Sequence, residues 1–152
     1  MPAQRSPYQD TSVPVERSKE QIRQMLRGAG ARGIMMIENW AEDESTEECL
    51  LEFSWPVGEN FESIQHVRLI VKPLPPEEGA RTAWRISPEQ RERQAWRALQ
   101  WYLKTMLEAA EFRLLRFEDV FMSFIVANDG RTVGEHVMPM LESGRLQLPK
   151  GD

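Results

Sequence analysis

The chain is poor in the residues that most often carry chemistry. Among its 152 residues there is one cysteine, Cys49, and two histidines, His66 and His136. A single cysteine excludes an intramolecular disulfide and a thiolate-rich zinc site, and it suits a reducing cytoplasm. No apolar run approaches the ~20 residues that span a bilayer, so no membrane segment is expected. The opening MPAQRSPYQD lacks the apolar core of a signal peptide. There is no Gly-rich phosphate loop, no nucleophile elbow and no paired acid–base spacing. The sequence therefore predicts a protein that is not an enzyme and holds no cofactor and no metal. Cys49, alternating with Leu51 and Phe53, reads as a small core residue.

One further absence is local. No Lys or Arg occurs between Arg32 and Arg68, a stretch that holds Glu38, Glu42, Asp43, Glu44, Glu47, Glu48, Glu52, Glu59 and Glu62. Positive charge is gathered on either side. Arg17, Lys19, Arg23, Arg27 and Arg32 crowd one segment, and Arg91, Arg93, Arg97 and Lys104 crowd another. The net charge of −5 thus hides a dipolar layout, which steers charged partners.

Length and composition fit one ordinary globular domain. Residues 1–15, with three prolines, read as an extended lead-in, 16–145 as the domain, and 146–152 as a loose tail. Ser18-Lys19-Glu20-Gln21 has a capping-box pattern and predicts a helix starting at Ser18. Ile22, Met25 and Leu26 give that helix a buried stripe, and Gly28 and Gly30 end it. Gly33 to Trp40 reads as a strand, followed by the acidic hairpin loop AEDESTEE. Cys49, Leu51, Phe53 and Trp55 alternate as the core face of a second strand, and Val67, Leu69 and Val71 as that of a third. Short separations imply an antiparallel meander. Ser87-Pro88-Glu89-Gln90 supplies a cap and a proline at the first helical position, predicting a helix from Pro88 to about Glu111. Phe117, Val120, Phe121, Phe124 and Ile125 predict a third helix. Thr132 to Glu135 opens a fourth, which Pro139 bends or shortens. The expected fold is α+β: α-β-β-β-α with a three-stranded antiparallel meander, helices packed on it, and two short C-terminal helices.

The segments WRALQWYLKTMLEAAEF and RFEDVFMSFIVANDGRTVGEHVMPMLESG resemble a family of small proteins encoded by bacteriophages, prophages and integrative elements. DTSVPVERSKEQIRQMLRGAGA and the Pro-rich exit VKPLPP fit the same family. The likeness covers roughly residues 9–149. The family has no assigned activity, so the resemblance implies a genetic context in a bacterial cytoplasm and no site residues.

Two surfaces stand out. Arg93, Arg97, Gln100 and Lys104 project within a narrow sector of the long helix, and Lys19, Arg23 and Arg27 form a stripe on the first. Arg–Arg at i, i+4 is mildly repulsive, so helix stability alone does not select it, whereas a phosphate-facing surface does. If both helices lie on one sheet face, the stripes form a single basic plate for nucleic acid. The ordinary alternative is a solvated face. The α-β-β-β-α order is similar to the double-stranded RNA-binding fold, but the loop that would enter a minor groove is here acidic. The second surface is the acidic hairpin, Glu42, Asp43, Glu44, Glu47 and Glu48, with the off-core Trp101. It suits docking on a partner protein of replication, recombination or defence. A homodimer is another way to cover exposed tryptophans.

Overall fold

The computed structural model describes residues 8, 10–40, 46–57, 60, 63–72 and 87–146. The architecture is α+β, as expected. Helix α1 (Val15–Ala29) leads into strands β1 (Ile34–Trp40), β2 (Thr46–Val57) and β3 (Ser63–Val71). Helices α2 (Pro88–Glu111), α3 (Phe117–Phe121) and α4 (Val133–Glu142) follow. The strands form one antiparallel sheet in the order β1-β2-β3.

Period-two alternation gives the sheet two unlike faces. Cys49, Leu51 and Phe53 of β2 and Val67 and Leu69 of β3 are buried with Ile22 and Leu26 of α1 and with Trp96, Leu99 and Leu103 of α2. Both long helices therefore lie on one side. Phe121 of α3 closes the core, edge-on to Phe53 at 5.5 Å between ring centroids. The opposite sheet face leaves Met35, Ile37, Ile64 and Ile70 exposed.

α2 has the bounds its sequence predicts. The Ser87 side chain accepts from the Gln90 N–H at 3.2 Å, and Pro88 occupies the first turn. α4 opens on a full capping box between Thr132 and Glu135. It also runs through Pro139 to Glu142 rather than stopping there. A helical proline leaves the carbonyl four residues back without its usual donor, and the Arg131 guanidinium takes the Glu135 carbonyl at 2.8 Å.

Two expectations are corrected. α1 starts at Val15, not at Ser18. Pro14 is the extended residue before the helix, and Ser18 lies one turn inside, fully buried. Its hydroxyl faces the core, where it caps nothing. The third helix is also shorter than expected. After Phe121 the chain makes one 3₁₀ turn, Met122–Phe124, and then extends. Ile125 bridges Val67 in antiparallel fashion, and the Val126 N–H donates to the His66 carbonyl at 2.8 Å. A β-branched residue offered an open sheet edge gains backbone partners there that a helix end would not supply.

Candidate functional site

Most of the predicted cations have a definite neighbour. Lys19 pairs with Glu38 on β1 and with Glu16 at 3.5 Å. Its ammonium also lies 5.0 Å from the centre of the Trp96 ring. Its side chain is only 12% exposed and that of Glu38 17%, so this is a half-buried, neutralised pair. Arg23 pairs with Glu20 at 3.4 Å. Arg27 is exposed in the last turn of α1.

The cations of α2 are held differently. The Arg93 guanidinium donates to the Gln90 side-chain oxygen at 3.1 Å, and that of Arg97 to the Gln21 side-chain oxygen at 3.0 Å. Arg97 also lies 5.3 Å from the Trp101 ring centre, with Lys104 at 4.7 Å from the same ring. Trp101 is 37% exposed. Lys104 makes one loose contact with Glu108 at 3.9 Å. An amide or an indole face orients a cation without cancelling its charge. Arg93, Arg97 and Lys104 therefore form a positioned cationic row, with an indole seated between two of its members.

The single plate expected from the sequence does not form. Lys19 reaches toward β1, whereas Gln21, about 160° away around α1 at ~100° per residue, reaches α2. Lys19 is thus drawn in against Glu38 of β1 and Trp96 of α2, whereas Arg97 is held at Gln21 on the other flank of α1. Gln100 leaves the set as well. It is buried, because its sector turns inward toward Trp96 and Leu103, and its side-chain oxygen has no partner among the described residues.

The acidic candidates are only partly placed. Glu42, Asp43 and Glu44 lie outside the described residues. Glu47 belongs to β2 by its backbone, and Glu48 accepts from the Asn39 side-chain amide at 2.6 Å. No cluster of three or more potential ligands suits a metal ion among the described residues.

Sequence reasoning missed a cleft of about 910 Å³ beside the cationic row. It is lined by the stacked pair Trp55 and Phe117, 3.8 Å between centroids, and by Met25 and Leu107. Lys104 also lines it, so row and cleft share that residue. The segment after α2 also lines it, and there Leu114 and Leu115 are exposed. Arg113 turns that segment with φ 58°, a left-handed conformation. A non-glycine residue in the left-handed region leaves no signature in sequence. Arg116 and Asp119 make a bidentate pair there, which holds the Asp119 carboxyl below its ordinary range.

Burial, and then the negative charges of Glu92, Glu38 and Glu48, push the Cys49 thiol up to about 12, so it stays protonated at neutral pH. His136 lies 2.9 Å from Asp129 on the surface, and its hydrogen bond keeps the Asp129 carboxyl below the usual range. His66 is exposed on the open sheet face. Among the described residues, no helix is long and apolar enough to cross a membrane.

The fold and these surfaces define a small α+β protein with one positioned cationic helix face beside an apolar cleft. No protein-family model, curated protein or solved structure matches the chain.

Proposed function

We propose that the protein is a non-enzymatic nucleic-acid-binding accessory factor that uses the outer face of α2. Arg93, Arg97 and Lys104 contact phosphates, and Trp101 lies beside the backbone path they define. The observation that carries this reading is the manner in which the cations are held. Arg93 and Arg97 are oriented by the amides of Gln90 and Gln21, and Trp101 sits between Arg97 and Lys104. Each keeps its charge while losing rotamer freedom, which lowers the cost of binding a phosphate. Contacts of this kind position a strand and carry no sequence information. From the sequence resemblance alone, we further propose that it is a cytoplasmic factor of a phage or integrative element.

The test is binding of labelled single- and double-stranded DNA and RNA, titrated over salt. Each phosphate neutralised contributes about 0.7 to the slope of log K against log salt for single strands and about 0.9 for duplex DNA. Arg93→Ala with Arg97→Ala should therefore flatten the slope by about 1.4 to 1.8. Lys19→Met should leave it unchanged, because Lys19 is already paired. No binding at low salt, or an unchanged slope in the double variant, rejects the reading.

A second reading, a protein-interaction module, is favoured by one observation. Leu114 and Leu115 are exposed where they line an apolar cleft. It becomes the leading reading if nucleic acid fails to bind.

A further inference from the structure

The two edges of the sheet are treated differently. The outer edge of β3 is met at its middle, where Ile125 bridges Val67 and the Val126 N–H donates to the His66 carbonyl. β1 lies at the other end of the strand order, with no described strand beside it. Its sequence, Ile-Met-Met-Ile-Glu-Asn-Trp, contains no lysine or proline to guard an open edge, and its pairing with β2 stays regular from Ile34 to Asn39, slipping only before Trp40. Its one charge, Glu38, points toward α1 and is satisfied by Lys19. Met35 and Ile37 are 46% and 41% exposed.

We infer that β1 pairs antiparallel with β1 of a second copy of this chain about a two-fold axis at Ile37, joining two three-stranded sheets into one of six strands. Register supports that centre. Ile37 faces Leu50, and Leu50 faces Ile70, so these three form an apolar row across the exposed face. A two-fold at Ile37 sets Ile37 against its own copy and carries the row unbroken across all six strands. Glu38 then faces Met36 of the second copy, so no like charges meet across the new strand pair.

The flank of α1 above this edge selects a second copy over an unrelated strand. Glu16, Glu20, Arg23 and Arg27 fall within about 60° of one another on the helix, at ~100° per residue. They lie nearer on the helix to Lys19, which pairs with Glu38 of β1, than to Gln21, which holds Arg97. The acids occupy the first half of this flank and the bases the second. A two-fold axis between Gln21 and Ile22 sets Glu16 against Arg27 and Glu20 against Arg23 of the other copy, in both directions. Such self-complementarity is what an isologous contact requires.

The helix and strand centres also coincide. From Lys19 at Glu38, the helix midpoint lies 2.5 residues onward, or about 4 Å at 1.5 Å per residue. That is about one residue back along an antiparallel strand at ~3.3 Å per residue, which is Ile37. Neighbouring helices need about 8–10 Å and adjacent strands about 4.8 Å, so two α1 helices fit over two paired edges.

Sedimentation equilibrium of the full chain over about 1–100 μM, where modest interfaces dissociate, tests this. The expected mass is twice the 17.7 kDa of one chain. Ile37→Lys puts a charge on an exposed edge position and should give monomer at every concentration, with unchanged far-UV circular dichroism. Glu20→Arg and Arg23→Glu should each weaken the dimer at least tenfold, and combining them should restore it. Wild-type chain that stays monomeric overturns the inference, including the case in which β1 accepts a strand of another protein. A dimer indifferent to Ile37→Lys, or not restored by the double swap, overturns the assigned interface.

Discussion

Lys19 is the residue whose role differs most between sequence and structure, and replacing it measures that difference. In Lys19→Met the stem is kept and the ammonium is lost. Glu38, 17% exposed on the helix-covered side of β1, is left without its cation. Removing one partner of a fully buried pair costs about 3–5 kcal/mol, whereas an exposed pair is worth about 0–1. With both side chains between those limits, the expected loss is about 2–3 kcal/mol, of which the Trp96 contact accounts for about 0.5–1. Lys19→Met combined with Glu38→Gln removes both charges and should recover more than half of it. Urea unfolding reads these differences directly. With a slope of about 1–2 kcal/mol per molar for a domain of this size, the single variant should move the midpoint down by 1 M or more, roughly. A single variant within about 0.5 kcal/mol of wild type, in the ordinary surface range, would refute the pairing. So would a double variant no better than the single. Either result would return Lys19 to the free cations available to a phosphate.

Two more outcomes follow from the buried thiol and from the turn after α2. Cys49 should resist alkylation at neutral pH in the folded protein and react only as fast as the chain opens. Iodoacetamide labelling followed by mass should then be faster in Lys19→Met than in wild type, and rapid labelling of the native wild type would contradict the burial. Arg113→Gly should raise stability by about 0.5–1 kcal/mol in thermal or urea unfolding, because glycine adopts a positive φ without the steric cost borne by arginine. A loss of stability would mean that the Arg113 side chain contributes more than its backbone strain costs.

Much of the fold is legible in the sequence because the interactions that decide it are local. Ser87-Pro88 and Thr132–Glu135 mark helix starts through bonds that reach three residues along the chain. Alternation in β2 marks its core face for the same reason. Ser18 misled because a capping pattern is necessary for a cap and not sufficient. Pro14, four residues earlier, provides an extended residue from which the helix begins. The Phe117–Ile125 periodicity misled because Ile125 had a sheet edge within reach, and only the fold places it there.

The sequence by itself determined the order of the elements, the buried face of the sheet and the separation of charge along the chain. Each is written within a few residues, at helical or strand period. Tertiary structure decided which cations stay free. Whether a basic stripe meets solvent depends on which neighbour covers each sector of its helix, and those neighbours come from distant parts of the chain. Glu38 on β1 takes Lys19, a bond between residues 19 apart in sequence. Gln21 holds Arg97 across 76 residues and leaves its charge intact. The cleft is likewise a product of packing, since Trp55 and Phe117 meet only when α3 folds back over the sheet.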